Sequence, residues 1–151
     1  MIDYITHLGI IILIYILASV SLQLSLGFAG LLNLGHIAFY GIGAYASALF
    51  SRIGLPVTLS MGLGAVITMG FGFLLSFPLR WVKKDCFSLL TLAFTFIIGG
   101  IILNWTHLTG GAIGLAGIPK PRLIGWEIDK NVEYFAFTFI IVAACIFLIM
   151  R

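Results

Sequence analysis

Formal charges fall at Asp3, Arg52, Arg80, Lys83, Lys84 and Asp85 and then not until Lys120, and the stretches between are almost wholly apolar. Tyr4 to Ser51 is 48 residues without a formal charge, about twice the ~20 apolar residues that carry one helix across the hydrocarbon core. Two crossings must fit there, a first over 8–25 and a second over 31–50. Between them, Gly27-Phe28-Ala29-Gly30 reads in two ways. It is a turn, for which glycine supplies the backbone angles, or the broken part of a discontinuous helix near Gly27–Gly35, within the membrane. The second reading requires protein or a water cavity around the unwound backbone, because hydrocarbon offers no hydrogen-bond partner. A third span covers 55–79, entered by Pro56 and closed by Pro78, a fourth covers 86–103 and a fifth 132–150. The pattern predicts an all-α, polytopic transmembrane helix bundle of about five spans, one domain over 1–151.

Composition agrees with lipid as the solvent. Hydrophobic residues make up 62% of the chain and charged residues 9%, against roughly 25% charged in a soluble domain. The net charge of +3 does not point to nucleic acid, because the few basic residues sit between apolar spans, where they set orientation. Trp81, Trp105 and Trp126 all lie just outside a predicted span, at the headgroup level that suits their rings. The cluster Arg80, Lys83 and Lys84 marks a cytoplasmic loop, which sets the N-terminus opposite and turns the loop 104–131 outward. Lys120, Arg122 and Lys130 weigh against that orientation, so loop length and clustering carry it. MIDYITH has no basic residue ahead of the apolar run, which predicts a retained first helix instead of a cleaved signal.

Two kinds of pattern stand out within the spans. Ser60, Gly64, Thr68, Gly72 and Ser76 place a small residue at every fourth position of span three, one helix face on which another backbone can approach closely. Asn33, His36 and Tyr40 follow at i, i+3 and i+7 in span two, with similar polar series at Tyr15, Ser19, Gln23 and at Ser88, Thr91, Thr95. An intramembrane histidine is by default a functional candidate, and interhelical hydrogen bonding is the equal alternative for His36. For the hydroxyl series, bonding between helices is the favoured reading. Apart from Glu133 at the edge of the fifth, no Asp, Glu, Lys or Arg lies inside the spans. Proton relays and voltage sensors need such residues, so any uphill transport draws its energy from another subunit.

The loop LNWTHLTGGAIGLAGIPKPR, 103–122, is long for an unstructured connection. Its glycines at 110, 111, 114 and 117 predict tight turns folded against the membrane surface, and Ile113, Leu115 and Ile118 argue against disorder. Cys86 and Cys145 lack metal-ligand spacing and read as apolar packing thiols. The chain has no phosphate loop and no nucleophile elbow. No metal, cofactor or enzyme activity is expected.

LSLGFAGLLNLGHIAFYGIGAYASALF at 24–50 and FSLLTLAFTFIIGGIILNWTHLTGGAIGLAGIP at 87–119 together resemble the permease subunits of branched-chain amino-acid ABC importers. The likeness is nearer to the LivM kind than to its sister, the LivH kind, and covers roughly residues 20–120. It implies one half of a heterodimeric channel in the bacterial inner membrane, made with a sister permease. Two cytoplasmic ATP-binding subunits would drive it, and a periplasmic binding protein would deliver leucine, isoleucine or valine. It also implies that Gly35, His36, Gly41 and Gly43 lie near the translocation path beside Asn33 and Tyr40. The loop carrying Thr109, Gly110, Gly111, Gly114, Gly117 and Pro119 would face the binding protein, and the Gly64 face is expected to meet the sister subunit. The sequence departs from the family at Phe96 and Gly99, where a Glu and an Arg are common, and at Ile113, where a polar residue is usual. By the same likeness the chain is expected to be the amino-terminal part of a longer permease. A urea or short-amide permease, a passive channel and half of a secondary transporter remain as alternatives, and a purely structural subunit is argued against weakly.

Overall fold

The computed structural model describes residues 2–79, 81–118, 122–123, 126–127 and 131–150. Helix α1 runs over Ile2–Ala29, α2 over His36–Arg52, α3 over Val57–Leu79 and α4 over Lys84–Asn104. A single turn α5, Thr106–Thr109, two-residue strands β1 (Arg122–Leu123) and β2 (Trp126–Glu127), and helix α6 (Asn131–Met150) follow. Asp3–Gly27, Val57–Pro78 and Cys86–Asn104 are long and apolar enough to cross a membrane, while the apolar part of α6, Glu133–Phe147, is shorter. Helix α2 has 17 residues, or about 25 Å at 1.5 Å per residue, short of the ~30 Å hydrocarbon core.

The chain forms two compact units, Met1–Gly30 with Trp126–Arg151, and Leu31–Gly125. In the first, α1 lies along α6, and Gly9 lets the Phe135 ring close in: a Cβ at Gly9 would stand 2.7 Å from a ring carbon. In the second, α2 packs against both α3 and α4, and the Phe39 and Phe94 rings meet at 5.3 Å between centroids. Pro56 begins α3 by lending its carbonyl to the Ser60 amide at 2.9 Å. Pro78 comes in the last turn of that helix, where it removes the amide that the Leu74 carbonyl would accept and helps to end the helix.

Burial runs opposite to that of a water-soluble domain. Among the described residues the largest fully buried side chains are those of the hydroxyl residues Thr91, Ser51 and Ser60, while Phe73, Leu74, Met69 and Phe96 on the long helices stay more than 70% exposed. Lipid tails are as apolar as leucine, so nothing drives these residues inward, and helices associate through small residues and hydrogen bonds. This is an all-α transmembrane helix bundle built on that rule. Ser51 Oγ is buried without a partner among the described residues. A buried unsatisfied hydroxyl costs about 1–3 kcal/mol, so Ser51→Ala is expected to unfold in detergent at a higher SDS fraction than wild type. A lower fraction would show that the hydroxyl finds a partner.

Candidate functional site

The long apolar run holds its break later than Gly27–Gly30. Helix α1 continues through Ala29 and is closed by Gly30 at φ +60°, whose N–H donates to the Leu26 carbonyl at 3.1 Å. That is the left-handed glycine cap. Leu31–Asn33 have no regular structure, Leu34 and Gly35 form a turn, and α2 starts only at His36. The expected helix over 31–50 is therefore shortened, and Asn33 does not share a helix face with His36 and Tyr40. The cause is local: the Gly35 N–H donates to Asn33 Oδ1 at 2.9 Å, a side-chain turn that competes with helix.

The backbone thus freed is held by α4. Ser88 Oγ donates to the Leu32 carbonyl at 3.0 Å, the Leu34 N–H donates to Thr91 Oγ1 at 3.2 Å, and Thr95 Oγ1 donates to the Leu34 carbonyl at 2.9 Å. The hydroxyl series on span four is a ladder for an unwound strand. Gly35 makes the approach possible, since a Cβ there would stand 3.2 Å from the Thr91 carbonyl oxygen and 3.3 Å from Thr91 Cβ. Thr95 is the middle residue of the apolar stretch Cys86–Asn104, so the unwound segment reaches mid-depth in its unit. Its polar backbone is tolerable there because α4 hydroxyls pair with the Leu32 carbonyl and with both backbone groups of Leu34.

Beside this segment lies an open cavity of about 490 Å³. Leu31, Phe39, Leu75, Val82 and Phe87 line it with Gly72, and Asn33, Ser76 and Thr91 supply polar atoms. Ser76 Oγ donates to the Phe73 carbonyl, and the Thr91 hydroxyl is engaged within α4 and with Leu34. Asn33 Oδ1 is taken by Gly35, which leaves Asn33 Nδ2 without a partner among the described residues. Phe39, Leu75 and Phe87 were not singled out by the sequence, because an apolar residue lining a cavity is indistinguishable there from one facing lipid.

The other expected positions divide. His36 is half-buried and Tyr40 is exposed. Gly41 faces Ile102 of α4, and Gly43 and Gly64 are helix contacts between α2 and α3. A Cβ on Gly64 would lie 2.8 Å from the Gly43 carbonyl oxygen and 3.2 Å from Ser47 Cβ, and one on Gly43 would lie 2.9 Å from Thr68 Oγ1. The buried part of the small-residue face thus meets α2 of the same chain, where a sister subunit was expected. Ser60 Oγ and Thr68 Oγ1 donate to their own helix, to Pro56 and Gly64. Gly72 and Ser76, further along, border the cavity.

After α4 the chain turns tightly. Thr109 is buried, its Oγ1 within hydrogen-bonding reach of the Ile102 and Trp105 carbonyls, and it accepts the Gly111 N–H at 3.2 Å. Gly110, Gly111, Gly114 and Gly117 all have φ between +61° and +76°, and a Cβ on Gly110 would collide with the Gly114 carbonyl. Leu115 and Ile118 fold back beside Ala44, Tyr45 and Ala48 of α2, while Ile113 is 95% exposed. Pro119, like Arg80, Lys120 and Lys130, lies outside the described residues.

Residues 4–151 match the family of the branched-chain amino acid transport system permease component. Over 120 residues the chain is 38% identical to the high-affinity branched-chain amino acid transport system permease protein LivM of Salmonella typhimurium, covering 79% of this chain and 28% of that protein. The protein of the same name from Escherichia coli K12 is also 38% identical, with the same shares covered. The chain thus spans little more than a quarter of the length of these curated relatives. No solved structure matches it.

Proposed function

This chain belongs to the branched-chain amino acid transport system permease family, and from that premise we propose that it forms part of the translocation pathway of an ATP-driven importer of branched-chain amino acids. The family match over residues 4–151 is the observation that carries this reading. The scarcity of ionisable residues in the spans supports it, since energy supplied by partner subunits removes the need for an intramembrane proton relay. The partners would be a sister permease, two cytoplasmic ATP-binding subunits and a periplasmic binding protein, at the inner membrane. Asn33 and His36, at the unwound segment and just after it, would border the pathway. The glycine-shaped turns from Thr109 onward would face the binding protein.

The test is uptake by the complete importer in cells that lack their own branched-chain amino-acid transport. Labelled leucine should accumulate while ATP is maintained, even when a protonophore collapses the proton gradient. Accumulation that follows the gradient, or simple equilibration, would replace this reading with a secondary transporter or a channel. Uptake of labelled urea or acetamide in place of leucine would assign the other substrate class.

A further inference from the structure

We infer that the cavity beside the unwound segment receives the aliphatic side chain of the transported amino acid, with the Asn33 carboxamide as the polar contact at its rim. The inference rests on the importer reading above and adds a place and a size limit to it. Three observations carry it.

The first is chemical. Among the described residues no charged side chain lines the cavity: its lining is mostly aliphatic and aromatic, through Leu31, Phe39, Leu75 and Phe87. The hydroxyls of Ser76 and Thr91 are engaged with backbone groups. Asn33 Nδ2 remains as a neutral donor, and its Oδ1 is fixed by the Gly35 N–H at 2.9 Å. An apolar wall with one oriented, unpaired donor suits a neutral molecule with an apolar end and an acceptor oxygen, such as the carboxylate of a branched-chain amino acid. A covering helix would have to bring an acceptor of its own for that donor or leave it at a desolvation cost.

The second is position. The cavity runs from Thr91 and Asn33, at the ladder on α4, to Val82, in the loop that carries Lys83. It therefore joins mid-depth to the basic side of the unit. Substrate sites at broken helices take the same position, because only there does unwound backbone offer polar groups inside the membrane.

The third is the size limit at Gly72. A Cβ there would make only an ordinary 3.9 Å contact with Phe39, so a larger side chain can enter the cavity without forcing α2 from α3. Gly64, two turns away, has no such room.

Gly72→Ile in the complete importer tests this, with uptake of alanine, valine and leucine measured side by side. In a hydrophobic pocket one methylene is worth about 10- to 200-fold in discrimination, so the KM for leucine should rise at least about tenfold, with alanine changing less than about twofold. Gly72→Ala should move the same ratio in the same direction by less, and it serves where the isoleucine variant assembles poorly. Asn33→Asp keeps the oxygen that accepts from Gly35 and removes the donor. It should weaken alanine and leucine alike, leaving their ratio as in wild type. An unchanged leucine-to-alanine ratio in both Gly72 variants overturns the inference and shows a groove covered by another helix. Wild-type importer that takes up no neutral amino acid overturns the importer reading instead.

Discussion

Gly64→Leu is expected to cost about 3 kcal/mol or more, and to leave little folded protein in detergent extracts. Overpacking a tight site costs typically about 1–3 kcal/mol where side chains can shift. Here the nearest obstacle is main chain, the Gly43 carbonyl oxygen at 2.8 Å and the Ser47 nitrogen at 3.2 Å from the position of the new Cβ. Neither can rotate away, so α2 as a whole must move off α3. At Gly70, on the same helix, nothing lies within 4 Å of the place a Cβ would take. Gly70→Ala should therefore be neutral or stabilising by up to about 1 kcal/mol, the difference in helix propensity. SDS titration followed by tryptophan fluorescence separates the two, and a Gly64→Leu protein that unfolds together with wild type would refute the tight contact.

Thr91→Val is expected to destabilise by about 1–3 kcal/mol and to abolish leucine uptake, with no change in side-chain volume to blame. Thr91 is 1% exposed, and its hydroxyl accepts the Leu34 N–H at 3.2 Å while its proton points to Phe87 or Ser88, each at 3.0 Å. Valine leaves the part-buried Leu34 N–H without its acceptor, which carries a desolvation penalty. Thr91→Ser keeps the oxygen and should retain most of both stability and transport. Amide exchange reports the local effect: Leu34 should lose protection in the valine variant, with the rest of α2 little changed. Equal protection of Leu34 in both variants would remove Thr91 as its partner.

The long helices were legible because apolar runs bounded by charges and prolines need no tertiary information. The regular spacing of Ser88, Thr91 and Thr95 was equally visible, and so was their favoured role as hydrogen-bond partners of another element. What they bind was not visible. The unwound strand is produced by Asn33 and Gly35 acting together, three residues beyond the glycines that first suggest a break, and an Asn two residues before a Gly was the available signal. The register of Gly64 against Gly43 was hidden for a different reason. A small-residue face states that something approaches closely, but its partner is chosen by topology, and here α2 of the same chain takes the place expected for a second subunit. The cavity was the least legible feature, because Phe39, Leu75 and Phe87 come from three elements and resemble every other apolar position along them.

The proton on Thr95 Oγ1 has two destinations: the Leu34 carbonyl at 2.9 Å and, one turn below in its own helix, the Thr91 carbonyl at 3.2 Å. Swinging the unwound strand away therefore leaves this donor with a partner already waiting. The carbonyl left without a donor is the one on the strand, at Leu34. A joint of this kind releases cheaply and re-engages without search, so the strand at Leu34 is held by a latch whose opening leaves the helices beside it whole.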